Sequence, residues 1–232
     1  MSKKIISIMM SLLIATSLIG CGKTNDASQD KSKTNTEDNI NIDEKDKDLQ
    51  GSWAKNYTLD QTKKLYNEKL AKIEGITKDF GLKYSKGEKI KEENGVSIND
   101  NSIYFDNEKP EKNKIESMYF GMKTYGEDLA YGDISLKLSL NFDGEGAIKN
   151  NNFDLGKTSF AKYIAAFTGQ ENRDYSQINK EIIQKLKNGD NDIKLDNTID
   201  GLKEEILVTK ECIIYNLSTK KYKFADADMS MK

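Results

Sequence analysis

The fold class follows most directly from one stretch of alternating residues, DISLKLSLNF at positions 133–142. Large apolar side chains occupy every second position, and polar side chains occupy the positions between them. The apolar set is Ile134, Leu136, Leu138, Leu140 and Phe142, and the polar set is Ser135, Lys137, Ser139 and Asn141. Successive side chains of a strand point to opposite faces of a sheet. The stretch therefore predicts an antiparallel strand with one buried and one solvated face.

Helical patterns lie on both sides of this strand. Apolar residues spaced three or four apart predict a helix over residues 59–80, and Thr58 with Gln61 fits a capping box at its start. Its stripe consists of Tyr66, Leu70, Ile73, Thr77 and Phe80. Two further stripes, over 160–167 and 178–186, predict a helical pair joined by a short connection.

Further strands are predicted before and after the helical pair. They cover residues 101–106, 115–125, 205–217 and 222–225. Asp143-Gly144 predicts a hairpin turn after the alternating strand, and residues 83–100 show no pattern that places them. We therefore expect a single α+β domain over residues 51–232, with the N-terminal helix and the helical pair packed on one face of an antiparallel sheet.

Composition excludes several classes of function. The formal net charge of the 232 residues is −2, so the sequence lacks the basic excess of nucleic-acid-binding proteins. There is no histidine, which excludes Ser-His-Asp and Cys-His catalysis and histidine-based zinc sites. Chemistry based on carboxylates stays open, as do calcium sites built from oxygen ligands.

The N-terminus carries the most specific motif. Lys3 and Lys4 precede a short apolar run over 5–19, and Leu18-Ile19-Gly20-Cys21 follows at its end. The run is shorter than the 20 or so residues of a spanning helix and has the form of a secretory signal. The arrangement resembles the signal peptide and lipobox of bacterial lipoproteins. The resemblance implies a signal peptide over 1–20 and a diacylglycerol on the Cys21 thiol.

The resemblance also implies a location and a partner. Acylated Cys21 would hold the chain in membrane lipid, on the extracytoplasmic face of the cell membrane. A composition rich in Lys, Asn and Ile resembles that of low-GC Gram-positive bacteria. The segment 21–50 is predicted to be a lipidated, disordered polar tether, because five lysines and eight acidic residues leave it little apolar surface to bury.

One stretch of the sequence resembles part of a metal-binding loop. Residues 141–148 resemble the first eight positions of a calcium-binding EF-hand loop, with Asn141, Asp143 and Glu145 at oxygen-ligand positions. The twelfth position holds Asn152 instead of the bidentate glutamate, and a strand precedes the loop instead of a helix. We therefore expect a turn and no metal ligand, and the sequence indicates no cofactor.

No catalytic residue is assigned. Acidic pairs are frequent, at Glu92/Glu93, Glu127/Asp128, Glu204/Glu205 and Asp226/Asp228. Sequence does not show whether any pair faces another across a cleft, as a glycosidase requires. Cys212 lies in an apolar stretch and is interpreted as a buried structural thiol.

A contact surface is the remaining hypothesis. Tyr119, Tyr125 and Tyr131 cluster around the glycine-rich segment 121–132, and tyrosine offers large contact area at low entropic cost. We expect a binding module of the cell envelope and not an enzyme, with the polar face of the sheet or these tyrosines in contact with an envelope protein or ligand. The alternatives are an immunity or exclusion lipoprotein, an apolar-ligand-binding domain and a carboxylate-based cell-wall hydrolase.

Overall fold

The computed structural model describes residues 46, 48–126 and 129–225. The predicted signal peptide and Cys21 lie outside these residues, as do residues 226–232. Of the predicted tether, Asp46 and residues 48–50 are described. The described residues belong to one compact unit of helices and antiparallel strands, which confirms the α+β class.

The described strands form one antiparallel sheet. They are β1 (Ser85–Glu93), β2 (Val96–Asp106), β3 (Lys114–Tyr125), β4 (Tyr131–Asn141), β5 (Ile193–Ile199), β6 (Leu202–Val208), β7 (Cys212–Ser218) and β8 (Tyr222–Lys223). Their order is β1-β2-β3-β4-β7-β6-β5, and β8 pairs with the start of β4. The sheet therefore consists of two consecutive meanders that meet where β4 pairs with β7.

The alternating stretch forms the central strand, β4. Its four inward residues, Ile134, Leu136, Leu138 and Leu140, are at most 1% exposed. Strands pair with β4 along both edges, so its backbone donors and acceptors are satisfied within the sheet. The prediction of a strand with one buried face is confirmed.

Helices cover that buried face. They are α1 (Leu59–Asp79), α2 (Gly144–Asn150), α3 (Ser159–Thr168) and α4 (Ser176–Lys187). Side chains of α1, α3 and α4 share one apolar core with the inward residues of the sheet. The α1 capping box is confirmed, since the Gln61 amide donates to the Thr58 hydroxyl at 3.2 Å and the Thr58 amide donates to Gln61 Oε1 at 3.0 Å. Within the described residues, no helix has the length and apolar character required to cross a membrane.

The prediction of a hairpin turn at Asp143-Gly144 is wrong. The Asp143 carboxylate accepts the Gly146 amide at 3.3 Å and caps the short helix α2. Aspartate is favoured both in turns and at helix N-termini, so the local sequence does not separate the two outcomes. β3 occupies one edge at the end of β4, and the strand on the other edge is β7, about seventy residues later in the chain, so the chain must leave the sheet at this point.

Residues 83–100, which the sequence did not place, form β1 and the first part of β2. Asn94 and Gly95 connect them with φ angles of 53° and 76°, the left-handed values that a type I′ hairpin turn requires. β1 is exposed along almost its whole length, so its sequence shows no apolar alternation. The Asn94-Gly95 pair is the feature of the sequence that could have predicted this hairpin.

The predicted strand over 205–217 is two strands, β6 and β7. Between them the Thr209 hydroxyl accepts the amides of Glu211 and Cys212, at 3.2 and 3.0 Å, and reverses the chain. The apolar pattern continues through the turn, which is why the sequence showed one long strand. β5 was not predicted, because its outer positions are polar and it lies at the edge of the sheet.

Candidate functional site: the open face of the sheet

The solvated side of the sheet, called here the open face, is the candidate site. It is the side to which Asp133, Ser135, Lys137 and Ser139 of β4 point, opposite the apolar core. None of the described helices contributes to this side, since their buried residues belong to the core on the other. The structure thus places the predicted solvated face where a partner can reach it.

A shallow depression of about 330 Å³ lies on the open face. We call it the lysine depression. Its lining residues are Asp46, Lys123, Asp133, Ser135, Lys137, Lys203, Ser218, Thr219 and Lys221. Four lysines stand against two aspartates, so the depression is locally positive although the whole chain carries a net charge of −2.

Strand register brings these side chains together. Lys123 of β3 is directly opposite Asp133 of β4, and Ser135 of β4 is opposite Ser218 of β7. Lys203 of β6 is opposite Ser218 on its other side. Directly paired residues point to the same face, so three neighbouring strands supply adjacent polar groups. The bend between β7 and β8 adds Lys221.

Asp133 is the carboxylate at the centre of this group. Burial raises the pKa of its carboxyl, while the hydrogen bond from Tyr125 and the charges of nearby lysines act in the opposite direction. The Tyr125 hydroxyl donates to Asp133 Oδ2 at 2.6 Å. The Lys221 ammonium lies 4.3 Å from the centre of the Tyr125 ring, a cation–π contact. Asp133 therefore has partners within the site.

Asp46 is the second carboxylate, and it reaches the depression from the N-terminal segment. It is only 6% exposed. The Lys203 ammonium donates to its Oδ1 at 2.8 Å, and the Lys221 backbone amide donates to its Oδ2 at 3.4 Å. The end of the segment predicted as a tether thus contacts the domain through a charged side chain.

Three of the four lysines have no ion-pair partner among the residues that the structure describes. They are Lys123, Lys137 and Lys221. Burial lowers the pKa of the Lys137 and Lys221 ammonium groups, the like charge of Lys123 lowers both further, and the charge of Asp133 acts in the opposite direction on both. The lysines therefore repel one another, and an added anion would relieve that repulsion.

The three predicted tyrosines all lie on the open face, and all three belong to strands. Tyr119 and Tyr125 belong to β3, and Tyr131 begins β4 opposite Tyr125. Tyr131 is 5% exposed and belongs to a small second apolar cluster with Val96 and Ala130, against which Tyr125 packs. The Tyr119 hydroxyl donates to Asp100 Oδ1 at 2.8 Å.

These tyrosines are fixed in place by their surroundings. Burial, together with the charges of Asp100 and Asp133, raises the pKa of Tyr119 and Tyr125, so both phenols stay protonated donors. Gly121 leaves room for the Tyr119 ring, since a Cβ there would overlap the phenol group. The rings of Tyr119 and Tyr125 are thus held in fixed positions on the open face.

In the loop that resembles part of an EF-hand, the side chains of Asn141 and Asp143 bind to other residues of the protein. The Asn141 amide donates to the Pro110 carbonyl at 2.9 Å, and Asp143 accepts from Lys112 at 3.0 Å in addition to capping α2. Glu145 is exposed in the first turn of α2. In the part of the chain that the structure describes, no cluster of three or more His, Cys, Asp or Glu side chains is placed to hold a metal ion.

The acidic pair Glu204/Glu205 does not line a cleft. The two residues are consecutive on β6, so their side chains point to opposite faces of the sheet. Glu205 lies on the open face and pairs with Lys194 at 2.6 Å, whereas Glu204 lies in the core. Glu127/Asp128 and Asp226/Asp228 lie outside the described residues.

Glu204 belongs to a buried ion pair that the sequence analysis missed. Arg173, the only arginine of the chain, donates through both terminal nitrogens to the two Glu204 oxygens, with Nη2 to Oε2 at 2.8 Å. The Tyr215 hydroxyl also donates to Glu204 and accepts from Arg173 at 3.0 Å. The group ties the α3–α4 connection to β6 and β7 and lies away from the open face.

Cys212 lies on the open face at the start of β7. It is half-buried, less than the sequence indicated, because it is the first residue of β7 and points to the solvated side of the sheet. Its Sγ is 3.5 Å from the Ser139 hydroxyl, and burial raises the pKa of the thiol. A raised pKa keeps the thiol protonated and is typical of a structural cysteine.

Sequence reasoning predicted part of this site. Lys137 and the tyrosines were on the predicted surface, but Lys123, Lys203 and Lys221 were not singled out. Their convergence depends on which strands lie beside β4, and short-range periodicity does not encode that. No protein-family model matches this chain, and none of the curated proteins or solved structures searched matches it either.

Proposed function

We propose that this chain is a lipid-anchored binding module of the cell envelope, and that the open face is its contact surface. One observation carries the proposal: no described helix covers the open face, and a locally positive depression lies at its centre. Fixed ammonium, hydroxyl and phenol groups in adjacent rows offer directional contacts to a polar partner. Such an arrangement suits recognition.

The anchor part of the proposal rests on the N-terminal motif. A diacylglycerol on Cys21 supplies two acyl chains, and each buried methylene contributes about 0.8 kcal/mol to membrane affinity. The polar segment that follows has an end-to-end distance of roughly 30 Å if it behaves as a flexible chain. The domain would then meet partners near the outer membrane surface.

An immunity or exclusion lipoprotein is one form of this proposal. In that form the partner on the open face is an incoming bacteriocin or phage component instead of a resident envelope protein. The identity of the partner distinguishes a resident binding module from an immunity or exclusion lipoprotein, and the crosslinking experiment described next identifies that partner.

Photo-crosslinking tests the contact surface. A benzophenone amino acid is placed at Lys137 on the open face or, as the matched control, at Lys180, an exposed lysine on α4. Illumination of intact bacteria that carry the anchored chain should give a discrete adduct from position 137 and none from position 180. Mass spectrometry of the adduct identifies the partner.

The opposite result would contradict the proposal. Adducts from position 180 with none from position 137 would place the contact surface on the helical layer. Equal, diffuse labelling from both positions would mean that neither layer is a specific surface.

A further inference from the structure

The lysine depression has a charge imbalance that the described residues do not remove. Of its carboxylates, Asp46 pairs with Lys203, and Asp133 accepts a hydrogen bond from Tyr125. Neither Lys123 nor Lys137 forms an ion pair with a carboxylate of the described residues. Asp100 and Asp133 lie opposite Lys123 on the two neighbouring strands, but neither forms a direct ion pair with it, so an anionic group entering the depression would meet ammonium groups that no described carboxylate contacts directly.

Asp46 shows which kind of anion fits. It is a carboxylate on a peptide, and it is held by one ammonium group and one backbone amide, at 2.8 and 3.4 Å. Its 6% exposure shows that a carboxylate in this position is enclosed by protein. The depression thus already contains one carboxylate position formed by Lys203 and Lys221.

We propose that the lysine depression binds an acidic peptide segment of a partner protein, and that Asp46 occupies one of its carboxylate positions as a built-in competitor. The inference rests on the proposed function, since it assigns a ligand chemistry to the same open face. A carboxylate of the partner replaces Asp46 at Lys203, and further carboxylates reach Lys123 and Lys137. The volume of about 330 Å³ accommodates a few side chains of such a segment.

The competitor has a measurable consequence. Asp46 is part of the chain, so its effective concentration at Lys203 is high, on the order of millimolar for a flexible attachment. A partner carboxylate must displace it, which lowers the apparent affinity. Asp46→Asn removes the charge of the competitor and should strengthen binding about threefold to tenfold.

Fluorescence anisotropy with a labelled hexaglutamate peptide tests the inference. The full chain is used, in a non-ionic detergent and at low salt, because screening at high ionic strength weakens exposed charge pairs. The double variant Lys123→Gln/Lys137→Gln should weaken binding about fivefold or more. Neither lysine has a direct ion pair with a described residue, so the variant should fold, and its circular dichroism spectrum and melting curve check this.

A matched control removes two lysines from the other layer. Lys180→Gln/Lys185→Gln lies on α4 and causes the same change in net charge. It should leave the affinity for hexaglutamate unchanged. An equal loss of affinity in this control would mean that binding follows net charge alone, and it would overturn the inference.

Other outcomes also decide the question. Absence of hexaglutamate binding in both the wild-type chain and Asp46→Asn overturns the acidic-peptide ligand, as does stronger binding of inorganic pyrophosphate at the same lysines. Unchanged affinity in Asp46→Asn overturns the competitor. Crosslinks from position 137 without hexaglutamate binding reject this inference and leave the proposed contact surface standing.

Discussion

Glu204 is a charged residue that lies in the core of the fold. Its carboxylate is fully buried and receives hydrogen bonds from Arg173 and Tyr215. Moving such a charge out of water is costly, and only a well-placed partner compensates for the cost. The bidentate contact with Arg173 meets this requirement, because the guanidinium group and the carboxylate align two parallel hydrogen bonds.

Glu204→Gln should lower the free energy of unfolding by about 3 kcal/mol. The substitution keeps the size of the side chain but leaves the Arg173 guanidinium without its counter-charge in the core. Urea denaturation followed by far-ultraviolet circular dichroism measures the change.

Two variants serve as controls for this prediction. Glu205→Gln changes the neighbouring carboxylate on the open face, which is partly exposed, and should cost less than about 1 kcal/mol. Arg173→Met/Glu204→Leu/Tyr215→Phe replaces the buried pair and the hydroxyl that bonds to it by apolar groups, so no polar atom of the group is left unpaired, and should recover most of the loss. A Glu204→Gln variant as stable as wild type would contradict the assigned role.

At the scale of elements, Glu74 of α1 contacts the hairpin formed by β1 and β2, whose first strand is exposed. It lies near the end of α1 and accepts hydrogen bonds from Tyr84 at 2.6 Å and from Lys86 at 3.1 Å. Lys78 of α1 pairs with it at 2.9 Å. These hydrogen bonds lower the pKa of Glu74 from its usual 4.5 to about 2. The bond from Tyr84 has the largest effect, followed by those from Lys78 and Lys86.

This shift predicts a pH dependence of stability. Because the pKa of Glu74 is lower in the folded state, its contribution is complete above about pH 4.5 and is lost as the pH falls towards about 2. Glu74→Gln should therefore cost about 1 kcal/mol at neutral pH, since the group is partly exposed, and less in acid. Denaturation midpoints at several pH values measure the difference.

Glu68→Gln is the control for this pH dependence. Glu68 lies on the same helix, is exposed and forms no ion pair with another described residue. Its replacement should change stability little at any pH. A Glu74→Gln variant with the wild-type pH profile would show that the carboxylate contributes nothing to the docking of the hairpin.

At the scale of the whole molecule, polarity is divided between two layers. The helical layer and the inner face of the sheet form the apolar core, while the open face carries lysines, carboxylates and tyrosines. Asp46, at the described end of the N-terminal segment, contacts the open face. A chain anchored through Cys21 would therefore connect to its domain on the side proposed to bind a partner.

Cys21→Ser should abolish the incorporation of labelled fatty acid and release the chain from the membrane fraction. The acyl chains are the membrane attachment that the lipobox implies, so their loss removes the hydrophobic contribution to membrane affinity. Cys212→Ser removes the other cysteine of the chain and should leave both readouts unchanged. Equal membrane retention of Cys21→Ser and Cys212→Ser would refute the anchor.

The sequence by itself determined the features that local spacing encodes. The alternation over 133–142 predicted a strand with one buried face, and Thr58 with Gln61 predicted the start of α1. Both patterns depend on contacts within a few residues along the chain, which secondary-structure geometry dictates. Where local chemistry allows two outcomes, as at Asp143, the prediction was wrong.

The tertiary structure alone decided which distant residues meet. Lys203 and Asp46 are 157 positions apart, and Arg173 and Glu204 are 31 apart. The pairing of β4 with β7 likewise brings Lys203 of β6 near the lysines of β3 and β4, and all of these contacts depend on how the whole apolar core packs. Periodicity reports which face of a strand is wet, but not which strand becomes its neighbour. The open face was therefore predictable from the sequence, whereas the lysine depression was not.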